Sequence, residues 1–174
     1  LGSFAESLIL HSDIPLFIVN PKVHTPAKIK TILFPTDLSP ESEKGLHKLL
    51  PTVERLKAKL VLYHKMDYVI PETYSMIYRS EVYEKYLKDD ESNRRNQIEK
   101  WSKLLEGKGI KCEIVIDDKP SFIPSAIVKT AKKHKAQVIA LVSHTSAASA
   151  TFLGSITRQV VRSADCPIWS WHVR

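Results

Sequence analysis

Few residues in this chain have types and spacings suited to chemistry, and they gather at two points. The first is Pro35-Thr36-Asp37-Leu38-Ser39. Asp37 follows the apolar run Ile32-Leu33-Phe34 and precedes a helix that Ser39 is placed to cap. A carboxylate there can accept hydrogen bonds from hydroxyls, such as those of a ribose. It can equally satisfy the backbone N–H groups of its own turn, and the residues leave both roles open. The second point is Ser143-His144-Thr145 and the polar stretch behind it, which leads to Gly154-Ser155. That pair reads as the opening of a helix, whose unpaired N–H groups suit an anion. A Gly-Ser pair alone is weak evidence, because it also serves simply to start a helix.

Other chemistries find less support. Ser143 beside His144 suggests a nucleophile and base, but adjacent residues rarely supply that geometry, and no third group is evident to orient the base. We therefore expect no catalytic residues. His64 and His144 both lie near strand ends, yet two histidines do not make a metal site, and none is expected. Cys112 and Cys166 lack any CxxC spacing and read as two small buried side chains in a reducing compartment. Lys129, Lys132, Lys133 and Lys135 cluster at one helix end without interleaved aromatic residues. A solvated face that complements the helix dipole explains them better than a nucleic-acid surface.

The elements that position these residues can be read from periodicity. Ile32–Phe34, Leu60–Tyr63, Ile114–Ile116, Val138–Val142 and Pro167–Val173 are apolar, strand-like runs. Between them, helical spacing recurs in Leu46, Leu49, Leu50, Val53 and Leu56, and again in Ile98, Trp101, Leu104 and Leu105. Ile123, Ile127 and Ala131 mark a further helix, with Ser121 as its expected cap ahead of Pro124, and residues 156–164 mark another. Pro51 is expected to kink or break the first of these helices. Tyr68, Tyr74, Tyr78, Tyr83 and Tyr86 are expected on half-buried helix faces. Alternating strands and helices predict an α/β fold with a doubly wound, five-stranded parallel sheet. Ligands of such folds sit outside the carboxyl ends of the strands, where both chemical clusters lie.

The 174 residues carry a net charge of +7, with 43% hydrophobic and 26% charged residues, an ordinary globular composition. No apolar run approaches the ~18 residues of a membrane span. A secretory leader is not evident either, although the chain reads as starting inside a longer protein. Its two ends repeat one phrase: Leu1-Gly2-Ser3 falls on Leu153-Gly154-Ser155, Asp13 on Asp165 and Pro15 on Pro167. Residues 1–21 thus read as the last helix and strand of a preceding domain, 22–28 as a linker, and 29–174 as a whole domain.

ILFPTDLSPESEKGL at 32–46, LVLYHKM at 60–66, AQVIALVSH at 136–144 and LGSITRQVVRSADCPIW at 153–169 resemble the universal stress protein family. The resemblance covers residues 29–174, and it implies the C-terminal portion of a tandem member. It further implies an adenine nucleotide alpha hydrolase-like, Rossmann-like sheet of order 3-2-1-4-5. The family's dimer is built on the last, edge strand. In nucleotide-binding members, an aspartate at the place of Asp37 approaches the ribose and adenine, backbone at the place of Lys65 contacts adenine, and a glycine-rich loop holds the phosphates. Asp37, Gly154 and Ser155 match that pattern.

The early glycines do not: none occurs between Gly109 and Gly154. Side chains at Val142, Thr145 and Ser146 would crowd the approach that glycine permits. The expected site is therefore degenerate, comprising Pro35, Thr36, Asp37, Lys65, Val142, Ser143, Gly154 and Ser155. ATP or another adenine nucleotide would be held weakly at most. The function that follows is a cytoplasmic, non-catalytic stress-response domain acting by association, as a homodimer or pseudo-dimer. The alternative is an ATP-binding member with slow or no hydrolysis. One physical expectation accompanies the first: Pro15–Val19 should pair antiparallel with Pro167–Val173, removing two exposed edges.

Overall fold

The computed structural model describes residues 8, 12, 14–21, 23, 25–66, 81–144 and 150–173, without the side chains of 81–83, 143–144, 150–155 and 172. In chain order the elements are β1 (Leu16–Ile18), β2 (Thr31–Thr36), α1 (Pro40–Leu56), β3 (Lys59–Lys65) and α2 (Glu81–Gly107). There follow β4 (Cys112–Asp117), α3 (Ile123–Lys133), β5 (Val138–His144), α4 (Ala150–Ser163) and β6 (Ile168–Val173).

One sheet has the order β1-β6-β5-β2-β3-β4. It contains six strands, not the five expected, and it is mixed rather than purely parallel. β1 is the addition, running antiparallel to β6 with Leu16 opposite Ser170, Phe17 opposite Trp169 and Ile18 opposite Ile168. The expected pairing of the two terminal strands is therefore present. The other neighbours are parallel. Counted from Thr31 alone, those five strands stand in the order 3-2-1-4-5.

Successive strand residues point to opposite faces, and each face carries its own core. Ile32, Phe34, Leu60 and Leu62 pack with Leu46, Leu49 and Val53 of α1 and with Ile98, Trp101 and Leu105 of α2. Leu33, Val61, Tyr63 and Ile139 pack on the other side with Ile127 and Ala131 of α3 and Val160 and Val161 of α4. Both faces of the central strands are covered, which explains their unbroken apolar runs.

Three local expectations need correction. α1 is not broken at Pro51 but continues to Leu56. Pro51 and His47, whose carbonyl loses its helical partner, are both exposed, so water can satisfy that group. Ser121 does not cap α3; the N-cap is Phe122, which makes no side-chain cap bond, while the Ser121 hydroxyl donates to the Lys119 carbonyl. Tyr86 is 64% exposed rather than half-buried. Tyr68, Tyr74 and Tyr78, and the side chain of Tyr83, lie outside the described residues.

Candidate functional site

The strand-to-helix turn after β2 is built to present one carboxylate. Ser39 caps α1, its hydroxyl accepting from the Ser42 N–H at 3.1 Å, with Pro40 opening the first turn and Glu41 and Glu43 facing the positive end of the helix dipole. Between strand and cap, Leu38 adopts a left-handed φ of 64°. That conformation is unfavourable for a residue with a branched, bulky side chain. Three contacts hold it: the Leu38 N–H donates to the Thr36 hydroxyl at 2.9 Å, its carbonyl accepts from Gln97 Nε2 at 2.8 Å, and its side chain joins the core. Strain held in place this firmly beside a cleft is a mark of function.

Asp37 stands exposed at this turn. Its Oδ1 accepts the Ser39 N–H at 3.0 Å and the Ser42 hydroxyl at 2.6 Å. The carboxylate therefore does serve its own turn, one of the two roles left open by the sequence. It also lines a cleft of about 250 Å³ with Pro35, Thr36, Lys65 and Val142, all four expected there.

The remaining expected residues are placed less completely. Ser143 lies in β5, opposite His172 of β6, with its side chain outside the described residues. Gly154 and Ser155 do not open a helix, because α4 begins at Ala150 and carries both within it. The free N–H groups of that helix start accordingly belong to earlier residues. Thr145 and Ser146 lie outside the described residues. Val142 lines the cleft, but it is also packed tightly against α1: a Cβ on Gly45 would meet its Cγ2 at 2.2 Å.

The cleft holds several residues that sequence reasoning passed over, including Ser42, Tyr63, Arg94, Ile127 and Thr157. His64 is among its walls too, though the sequence suggested it only as a possible metal ligand. It is 1% exposed, and its Nδ1 lies 2.9 Å from the Thr36 carbonyl. A carbonyl can only accept, so Nδ1 carries the proton and Nε2 presents its lone pair, 3.5 Å from Arg94 Nη1. Burial pushes the imidazole pKa below its ordinary value, and the Arg94 charge acts in the same direction against the Thr36 hydrogen bond.

On the far wall, Tyr63 donates to Asp117 Oδ2 at 2.9 Å. Burial, then that carboxylate, pushes the phenol pKa well up. Burial would raise the Asp117 carboxyl, but the Lys119 N–H, the Tyr63 hydroxyl and the Lys65 charge outweigh it and hold the pKa low. Lys65 turns its ammonium to the end of β4, 3.8 Å from Asp117 Oδ1 and in hydrogen bonds with the Asp117 and Lys119 carbonyls.

Among the described residues no three His, Cys, Asp or Glu side chains are grouped to hold a metal ion. Both cysteines are free thiols, Cys166 pushed up to about 11 by burial and the Asp165 charge. Among the described residues the cleft thus gathers one carboxylate, four hydroxyls, two cations and apolar walls from both faces of the sheet.

The sequence pattern of the Universal stress protein family matches residues 28–170. No curated protein sequence matches the chain. Among solved structures, a universal stress protein from Archaeoglobus fulgidus aligns with 99% of this chain at 16% identity and a TM-score of 0.69, and the alignment takes up 54% of that protein. This chain thus spans about half the length of that relative. The universal stress protein UspA from Lactobacillus plantarum covers 86% of the chain and 100% of its own length, with 19% identity and a TM-score of 0.63. A universal stress protein from Archaeoglobus fulgidus in complex with dAMP covers 83% and 98%, with 14% identity and a TM-score of 0.56.

Proposed function

Because the chain belongs to the universal stress protein family, we propose that it is a non-catalytic stress-response domain that acts by association and keeps a weakened adenine-nucleotide cleft. One observation carries this reading: the strained turn presents Asp37 at the cleft, while no glycine lies between Gly109 and Gly154 to bed a polyphosphate. The dAMP complex of the Archaeoglobus fulgidus relative supports the class of ligand. The cleft volume of about 250 Å³ is just below the ~300–1,000 Å³ usual for drug-sized ligands, which favours a small occupant.

The association half rests on β1. Its antiparallel pairing with β6 is how two equivalent sheet edges would meet about a pseudo-two-fold axis. The repeated terminal phrase, and a relative about twice as long, support a chain drawn from the second half of a tandem protein. A cytoplasmic location is part of the proposal; no helix among the described residues is long and apolar enough to cross a membrane.

Calorimetric titration with Mg-ATP tests the reading. Dissociation constants of about 0.1–1 mM are expected for the intact protein, with D37A weaker still. Micromolar ATP binding that D37A abolishes would instead favour the second reading, an ATP-binding member with slow or no hydrolysis.

A further inference from the structure

We propose that Arg94 is the phosphate-recognising residue of this cleft, and that the ligand class is a nucleoside carrying a single phosphate monoester. The inference rests on the nucleotide reading above and names how that site would hold charge. Two cations are found among the described residues lining the cleft, Lys65 and Arg94. Lys65 is already engaged at the end of β4, with its side chain only 7% exposed. Arg94 is different: its side chain is about one-third exposed, and it is braced from two directions. Nε donates to Asp90 Oδ2 at 2.8 Å, one turn earlier on α2, and Nη1 faces the lone pair of His64 Nε2. His64 is fixed in turn by the Thr36 carbonyl, the residue before Asp37.

Among the described residues these contacts leave Nη2 and one hydrogen of Nη1, on a guanidinium whose orientation is already set. Such a planar fork suits the oxygens of a phosphate monoester, where a charge-assisted pair gives both energy and direction. One fork matches one phosphate. A triphosphate needs the extended bed of backbone N–H groups that glycine permits, and the residues after β5 lack those glycines. Asp90 and Asp37, the carboxylates near Arg94 and His64, would repel additional phosphates. Recognition of the sugar by Asp37 and of one phosphate by Arg94 is compatible with that balance.

The test compares dAMP with 2′-deoxyadenosine, by calorimetry, on the intact chain and on R94Q, R94K and D37A. The expected result is that R94Q weakens dAMP by about tenfold or more and leaves the nucleoside unchanged. R94K keeps the charge but loses the fork, and should fall between. An R94Q that loses both ligands equally, with R94K retaining full dAMP affinity, would show that Arg94 only supports the fold. Unchanged dAMP binding in R94Q, with loss in D37A, sinks this inference and leaves the nucleotide reading standing. If neither compound binds the intact chain, both fall together.

Discussion

His64 shows how a buried residue can make the site sensitive to pH. Its imidazole is neutral, with Nδ1 donating to a carbonyl and Nε2 facing a guanidinium, so protonation would set two cations against each other. The folded pKa lies below the ordinary value of 6.5, mainly because burial disfavours the charged form. An unfolded chain therefore binds the proton more readily than the folded one. The stability that His64 contributes is complete above about pH 6.5 and is lost as pH falls through the depressed folded value. Urea denaturation at pH 7.5, 6.5 and 5.5 should show falling stability, and H64Q should flatten that slope. An H64Q variant with an unchanged slope would assign the dependence to other groups. Leu38 makes a related point. Nothing about a leucine announces a left-handed backbone, yet that conformation is what directs Asp37.

At the level of elements, α1 and β5 meet closely beside the cleft. Gly45 lets the helix sit directly on Val142, because its missing Cβ would lie 2.2 Å from a methyl of that side chain. Valine is stiff at χ1 and cannot simply swing aside. G45A should therefore destabilise the fold by about 1–3 kcal/mol despite alanine's better helix propensity. V142A should be less damaging in the G45A background than alone, giving a favourable coupling in a double-mutant cycle. Denaturant midpoints of the four proteins measure this, and additive losses would refute it. The same contact gives Val142 a packing role beside its place on the cleft wall: it packs on a helix that carries Ser42, the partner of Asp37.

Across the whole molecule, the two ends of the sheet differ in charge character. The cleft at the carboxyl ends of the strands sets one acid, Asp37, among the cations Lys65 and Arg94. The opposite end gathers Lys28, Lys30, Arg55, Lys57, Lys59 and Lys111 around a groove that no aromatic residue among those described lines. Lys59 there is paired with Glu113, whose pKa is held low by that hydrogen bond first. β1 closes one edge of the sheet. Removing residues 1–20 should expose the β6 backbone and drive self-association, because an uncovered strand edge is a template for pairing. Sedimentation velocity over a concentration series would show a dimer for the truncated protein. A strictly monomeric truncated chain would argue against edge pairing as the mode of association.

Alternation of strands and helices, the position of Asp37 at a strand end and the echo between the two termini were all legible in the sequence. Each is a local pattern, set by side-chain polarity, capping residues and turn chemistry within a few positions. The pairing of β1 with β6 followed from one long-range physical argument about unpaired backbone. Tertiary structure decided the rest. Arg94 meets His64 across 30 positions of chain, Gln97 reaches the Leu38 carbonyl across 59, and Gly45 meets Val142 only because α1 lies across the sheet. Pro51 stays inside its helix, and Gly154 falls within rather than before α4. Such outcomes depend on which surfaces meet and on what solvent can still reach, and neither quantity is written in any short stretch of residues.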